Sequence, residues 1–161
     1  MRVASGTAEW RIDLGSLERE TFEYEDLSTS ETAEIGTTER RFAIGPTATE
    51  ETQSYTCSSS SGSYECNHEA AAGSEFFLVT ISAENVGSER VAVPSTWDTS
   101  IVTDNSQYEE GYCSGRDEYR GGGISPGIVR EGAVLFEVDE STSSYELRIE
   151  LTGDITANWT L

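Results

Sequence analysis

The sequence contains no lysine. All ten of its basic residues are arginines, set against thirty aspartates and glutamates, so the formal charge is −20. A protein that binds the phosphate backbone of a nucleic acid needs clustered Lys or Arg to displace counterions. The composition therefore argues against nucleic acid as a partner. The same charge repels anionic membrane surfaces.

Long apolar runs are also missing. No stretch approaches the roughly 20 apolar residues of a membrane-spanning helix, so we predict no transmembrane segment. Met1-Arg2-Val3-Ala4 lacks the apolar stretch of a signal peptide. Two origins fit this N-terminus: a cytosolic start, or a chain that begins after a removed export or lipid-anchor segment.

The excess of carboxylates predicts a preference for concentrated salt. Charges closer than the Debye length repel one another, and this length falls from about 10 Å in 0.1 M salt to about 3 Å in 1 M salt. An acidic surface without lysine is similar to the surfaces of proteins from halophilic archaea, whose carboxylates hold water in brine. We therefore expect a salt-adapted protein, with an ordinary acidic secreted protein as the alternative.

Cysteine is scarce, with three residues in the chain. Cys57 and Cys66 flank a seryl segment, residues 58–65, whose ends are able to meet in a loop closed by a disulfide. Such a bridge would stabilise the fold by roughly 2 to 3 kcal/mol. Cys113 is then left over, either free or the true partner of one of the other two. Three unpaired thiols in a reducing compartment remain the alternative.

The candidates for chemistry are weak. Residues 111–115 spell the glycine-x-nucleophile-x-glycine pattern of a hydrolase elbow around Cys113, but that elbow needs a strand running into a helix. His68 is the single histidine, and its spacing from the cysteines matches no usual zinc motif. The acidic pairs lack the order of a calcium loop. We predict no catalytic residue, no metal site and no cofactor.

Alternating apolar residues predict an all-β chain. Residues 145–151 and 155–161 place an apolar side chain at every second position, and residues 76–83 are rich in aromatic and β-branched residues. Residues 16–27 fit a helix or a strand. Further strands are predicted at 8–14, 42–44, 91–93, 99–102 and 128–138, within a single domain that spans residues 1–161.

The order of these pieces resembles a known family. Asn85-Val86-Gly87 ends the strand at 76–83, Pro126-Gly127 forms a turn before the strand at 132–138, and Tyr145-Glu146-Leu147 follows. This order is similar to the exported immunoglobulin-like domains of unknown function in prokaryotic lipoproteins, which are related to a mycobacterial secreted immunogenic protein. The resemblance covers residues 35–161, and residues 1–30 fall outside it as an N-terminal extension or added strand.

The resemblance implies a fold and a compartment. The expected fold is an immunoglobulin-like antiparallel β-sandwich of seven or eight strands. The expected location is extracellular or at the cell surface, with a lipid anchor on a removed N-terminal segment as one form of attachment. The family carries no established catalytic residues.

Two features have the character of a site. Tyr108, Tyr112, Arg116, Tyr119 and Arg120 lie in the polar segment 107–123, and aromatic rings with guanidinium groups favour recognition surfaces. Alternatively, these arginines pair with the acidic residues beside them.

Asn158-Trp159-Thr160 is correctly spelled as an N-glycosylation sequon, which makes Asn158 a glycosylation candidate.

These features support two hypotheses of function. The first is a non-catalytic binding or adhesion module that contacts an unknown protein or a surface glycan through the segment 107–123, with a second contact at residues 57–66. The second is a structural subunit of an extracellular assembly, which self-associates when a terminal strand at residues 8–14 pairs with the edge of a neighbour.

Overall fold

The alternating apolar segments of the chain form β-strands. The computed structural model describes residues 10–13, 22–58, 65–111, 118–152 and 155–161. These residues include one 3-10 turn at Thr96–Asp98 and fourteen strands: β1 Trp10–Asp13, β2 Phe22–Ser28, β3 Ala33–Gly36, β4 Arg41–Thr52, β5 Ser54–Ser58, β6 Glu65–Glu69, β7 Ser74–Asn85, β8 Val91–Val93, β9 Thr99–Val102, β10 Gln107–Glu109, β11 Gly122–Ile124, β12 Val129–Asp139, β13 Glu146–Thr152 and β14 Ile155–Thr160.

Two five-stranded sheets carry the core. The first has the order β1-β3-β4-β7-β12, and the second has the order β10-β9-β13-β14-β2. The strand predicted at residues 76–83 lies within β7, which pairs with β4 on one side and β12 on the other. The two C-terminal strands are confirmed as β13 and β14, with Leu147 opposite Trp159.

The strands are more numerous and less uniform than the seven or eight antiparallel strands that we expected. β8 and β11 form a two-stranded sheet, and β5 and β6 form another. β1 runs parallel to β3, and β2 runs parallel to β14. Residues 10–13 and 22–28 thus add one parallel edge strand to each large sheet. Pairing with β14 makes the described part of the ambiguous segment 16–27 a strand.

Inward-facing side chains of both large sheets meet in one hydrophobic core. Trp159, Phe136 and Leu147 are fully buried. The Trp159 indole Nε1 donates a hydrogen bond of 2.9 Å to the Glu31 carbonyl, so its polar atom has a partner. Full burial of one large apolar side chain contributes about 1.5 to 3 kcal/mol, so apolar burial holds the sheets face to face.

A buried asparagine organises one end of the sandwich. Asn85 is 1% exposed at the end of β7. Its Nδ2 donates to the carbonyls of Glu89 and Ile124 at 2.8 and 3.0 Å, and its Oδ1 accepts from the Gly87 N–H at 2.9 Å. We call these four residues the Asn85 corner. One side chain therefore ties the end of β7 to the turn after it and to the end of β11.

Two glycines shape this end of the molecule for different reasons. Gly127 has a φ of +72°, which confirms the turn predicted at Ser125-Pro126-Gly127. Gly87 is not among the glycines with positive φ. A Cβ on Gly87 would instead collide with the Glu39 carbonyl oxygen. Glycine is required there because the turn lies directly against the backbone before β4.

The segment 107–123 is only partly a loop. Its ends are strands, since β10 pairs with β9 and β11 pairs with β8. Gly111 and Glu118 form isolated bridges to Leu135 and Ala133 of β12. Gly111 and Glu118 therefore lie against the outer edge of β12, so the described parts of the segment are paired to three different strands and do not form a free loop.

We expect Asn85→Ala to lower the free energy of unfolding by about 2 to 4 kcal/mol, because the carbonyls of Glu89 and Ile124 lose their side-chain donor. The Gly87 N–H loses one of its two acceptors and keeps the Arg41 carbonyl. Urea unfolding followed by circular dichroism measures this change. Asn67→Ala, which removes an exposed asparagine of β6, is the matched control and should cost about 0.5 kcal/mol or less. Equal losses for the two variants would contradict the structural role of the corner.

Candidate functional site

The most exposed large apolar side chain among the described residues is a tryptophan. Trp97 is 81% exposed and lies in the 3-10 turn between β8 and β9. The Asp98 carboxylate accepts from the Ser95 N–H at 2.6 Å and from the Ser95 hydroxyl at 2.8 Å. The Thr99 hydroxyl donates to the Thr96 carbonyl at 2.6 Å. These bonds fix the turn and leave the Trp97 ring on the surface.

Trp97 borders a groove on the outer face of the second sheet. The groove has a volume of about 310 Å³. Strand alternation explains its polarity: Ile101, Leu147 and Ile149 point into the core, so their neighbours along β9 and β13 point outward. We call it the Trp97 groove and define it by Trp97, Ser100, Gln107, Glu109, Arg148 and Glu150.

The polar side chains of the Trp97 groove are held in register by three strands. Glu109 pairs with Ser100 across β10 and β9, and Ser100 pairs with Arg148 across β9 and β13. The Gln107 Nε2 donates to the Glu109 Oε1 at 2.9 Å. Carboxylate, hydroxyl and guanidinium groups therefore stand in one row on a hydrogen-bonded sheet, and the Gln107 amide is bonded to the carboxylate at one end of this row.

Tyr119 corrects part of the predicted contact surface. It is 1% exposed, and its hydroxyl donates to the Pro94 carbonyl at 3.0 Å. Burial raises the pKa of the Tyr119 hydroxyl well above its usual range. The ring packs in the main core, so it is not available to a partner. The sequence missed this because the edge of a sheet and a free loop have the same polar composition here.

The other residues of the predicted contact surface have different positions. Tyr108 is half-buried and packs against the main core, while its neighbours Gln107 and Glu109 line the Trp97 groove. Arg120 is exposed, and its carbonyl accepts from Arg130 at 3.0 Å. Tyr112 and Arg116 lie outside the described residues, as does Cys113. A contact role for the segment stays a prediction at Tyr112, Arg116 and Arg120.

The Trp97 groove was not found from the sequence, although a signal was present. Trp97 stands alone among Ser, Thr and Asp, three residues after Pro94 and outside any alternating apolar pattern. A tryptophan without strand or helix periodicity has no core position assigned to it, which makes it a candidate for exposure. Its partners Gln107 and Arg148 carry no such signal, because only the sheet order brings them to it.

The cysteine pair lies on a hairpin. β5 and β6 are antiparallel, and the register places Cys57 directly opposite Cys66. Opposed residues in such a pair have Cα atoms about 4.5 to 5.5 Å apart, within the range that a disulfide spans. The disulfide stays a prediction.

His68 lies on β6 and stacks on Tyr55, with ring centroids 4.9 Å apart.

Asn158 does not present its amide to solvent. It is 9% exposed on β14, and its Oδ1 is buried without a hydrogen-bond partner among the described residues. A glycan would need this largely buried side chain to be accessible. Glycosylation at Asn158 stays a prediction.

No group of three or more His, Cys, Asp or Glu side chains within the described ranges is arranged to hold a metal ion.

In the same ranges, no helix has the length and apolar character needed to cross a membrane.

Several solved structures share this fold. The yjhA protein from Bacillus subtilis gives a TM-score of 0.60 at 12% identity, over 84% of this chain and 99% of that one. MPT63, a secreted protein from Mycobacterium tuberculosis, gives 0.58 at 13% identity, over 89% of this chain and 100% of that one. The immunoglobulin-like β-sandwich expected from the sequence is thereby confirmed.

A further likeness is to a longer protein. A Bacillus subtilis protein proposed to be a lipoprotein, ycdA, gives a TM-score of 0.57 at 14% identity, and this chain spans 39% of its length. No curated protein sequence matches the chain. The sequence model of one family, described as "Domain of unknown function (DUF4352)", matches residues 42–158, within the predicted family-like core of 35–161. The chain therefore belongs to the DUF4352 family.

Proposed function

We propose that this domain is a non-catalytic extracellular module for binding or adhesion. The observation that carries the proposal is the Trp97 groove, where an 81% exposed tryptophan lies beside a row of polar side chains fixed on a sheet. Rigid aromatic side chains on a surface are typical of recognition sites. A sandwich whose core is complete leaves its outer face free for such a site.

The structural neighbours and the cysteine pair support an extracellular compartment. MPT63 is a secreted protein, and ycdA is proposed to be a lipoprotein. The register of Cys57 opposite Cys66 suits a disulfide, which persists in oxidising compartments. We place the domain outside the cytoplasm, either free or lipid-anchored through a segment that precedes it.

The charge of the chain is part of the same proposal. A formal charge of −20 with no lysine fits a domain of a halophilic archaeon, adapted to concentrated salt. Acidic side chains such as Asp104, Glu131 and Glu140 are exposed, so their mutual repulsion is open to screening by salt.

We expect the midpoint of thermal unfolding to rise between about 0.1 and about 2 M NaCl, because a shorter Debye length weakens the repulsion between exposed carboxylates. Circular dichroism melts measure the midpoint. The variant Asp104→Asn, Glu131→Gln, Glu140→Gln carries three fewer charges and should gain less from salt. A midpoint that does not respond to salt would contradict the adaptation.

The binding role is tested on cells. We expect the fluorescently labelled domain to bind saturably to the surface of intact cells in concentrated salt, beyond an unrelated protein of similar size and charge. Tyr112→Ala with Arg116→Ala measures the contribution of the segment 107–123, and Arg40→Ala, which changes an exposed arginine outside it, is the control. The absence of saturable binding to cells and to their secreted polymers would contradict the proposed binding role.

A second candidate function rests on the edge strands. β1 lies at the end of the first sheet, where its outer side is able to accept a strand from a neighbouring molecule. A structural subunit built in this way would gain mass with concentration. Light scattering in concentrated salt should then show assemblies that disappear when residues 1–14 are deleted. A strict monomer at all concentrations would remove this candidate.

A further inference from the structure

We propose that the Trp97 groove binds a neutral oligosaccharide, with one sugar ring stacked on Trp97 and its hydroxyls bonded to the polar row. This assignment rests on the proposed binding function and names its ligand class.

The indole ring supplies the apolar half of such a site. A tryptophan ring carries a large apolar face, and most tryptophans in folded proteins are largely buried. Trp97 is 81% exposed, whereas Trp159 is fully buried in the core. A pyranose ring presents one face of C–H groups, which is flat and apolar enough to cover an indole. Stacking would remove the indole face and the C–H face of the sugar from water.

The polar row supplies the hydrogen-bonding half. A sugar hydroxyl both donates and accepts, as a serine hydroxyl does, so it needs neighbours of both kinds. Gln107 and Arg148 offer N–H donors, while Glu109 and Glu150 offer acceptor oxygens. These groups converge on one groove of about 310 Å³, the size of a small-ligand site. The set suits a polyol better than an apolar ligand.

The side chains of the Trp97 groove are preorganised in the unbound domain. Three paired strands carry Glu109, Ser100 and Arg148 in one register row. The Gln107 to Glu109 hydrogen bond orients both of those side chains. Asp98 and Ser95 fix the turn that carries Trp97. A site on rigid elements loses little conformational entropy on binding, which favours the weak individual contacts of a sugar.

The charges select a neutral ligand. Asp98, Glu109 and Glu150 place three carboxylates at the groove against the one guanidinium of Arg148, and the whole chain is strongly acidic. An anionic polysaccharide would be repelled. A quaternary ammonium group prefers a cage of several aromatic rings, and Trp97 is the one ring that lines this groove. Hydroxyl groups avoid both penalties.

The other exposed apolar residues provide a contrast. Ile128 and Val129 are 50% and 54% exposed at the start of β12. They are aliphatic, so they offer no flat ring for stacking, and neither borders the Trp97 groove. Ile128 is therefore a matched position for a control substitution.

The test uses the full chain on an array of neutral, anionic and cationic glycans, followed by titration of the best neutral oligosaccharide with tryptophan fluorescence as the readout. We expect Trp97→Ala to weaken binding about tenfold or more. Trp97→Phe should retain part of the affinity, and Gln107→Ala should weaken it. Ile128→Ala should bind as the unchanged protein does. Affinity for a neutral sugar should vary little between about 0.1 and about 2 M NaCl, because no net charge is screened.

The outcomes separate this inference from the function beneath it. Binding to no neutral glycan, preference for cationic ligands with loss of affinity in salt, or an unaffected Trp97→Ala variant would each overturn the assignment. If Trp97→Ala still binds to cells while the Tyr112 and Arg116 variant does not, the binding function stands and the saccharide site falls. If the unchanged domain binds to neither cells nor glycans, the proposed function itself falls.

Discussion

The fold depends on satisfying the backbone where β7 ends and the chain must turn. Asn85 does this with one buried amide that bonds to Gly87, Glu89 and Ile124. Its own backbone continues the link, because its N–H donates to the Ile128 carbonyl at 3.1 Å. Buried polar groups without partners cost about 1 to 3 kcal/mol each. The central strand, the turn and the entry to β12 are therefore tied together as one unit.

The positions of the core-facing residues in the second sheet also determine which residues lie on its outer face. Successive residues of a strand point to opposite faces, so each core residue of β9 and β13 places a neighbour on the outer surface. Ile101 and Leu147 face the core and pair with each other. Ser100 and Arg148 then pair on the other face, next to Glu109. The Trp97 groove is thus a consequence of how the second sheet packs, since no separate loop is needed to align its polar row.

The sequence was informative wherever period and turn chemistry were strong. β13 and β14 follow from two-residue alternation, β7 follows from its aromatic and β-branched residues, and the Gly127 turn follows from its Pro-Gly pair. Long-range pairing was not readable: the parallel addition of β1 and β2 depends on edges formed elsewhere in the chain. The same limit explains the site. From the sequence, Tyr119 was expected at an exposed contact surface, and its burial beside β12 depends on long-range packing. Trp97 gains its polar neighbours from strands that follow it in the chain.

The composition and the candidate site fit one physical argument. On the proposed salt-adapted surface, a Debye length of about 3 Å leaves little reach to ion pairs between partners. Salts that are excluded from protein surfaces strengthen the burial of apolar area. Recognition in such a solvent is better served by a stacked ring and by hydrogen bonds to uncharged groups than by arginine-carboxylate pairing. Trp97 with Gln107 would offer these contacts, and under the proposed salt adaptation the carboxylates of the surface would serve hydration. The charge of −20 therefore restricts the choice of ligand without itself making the contact.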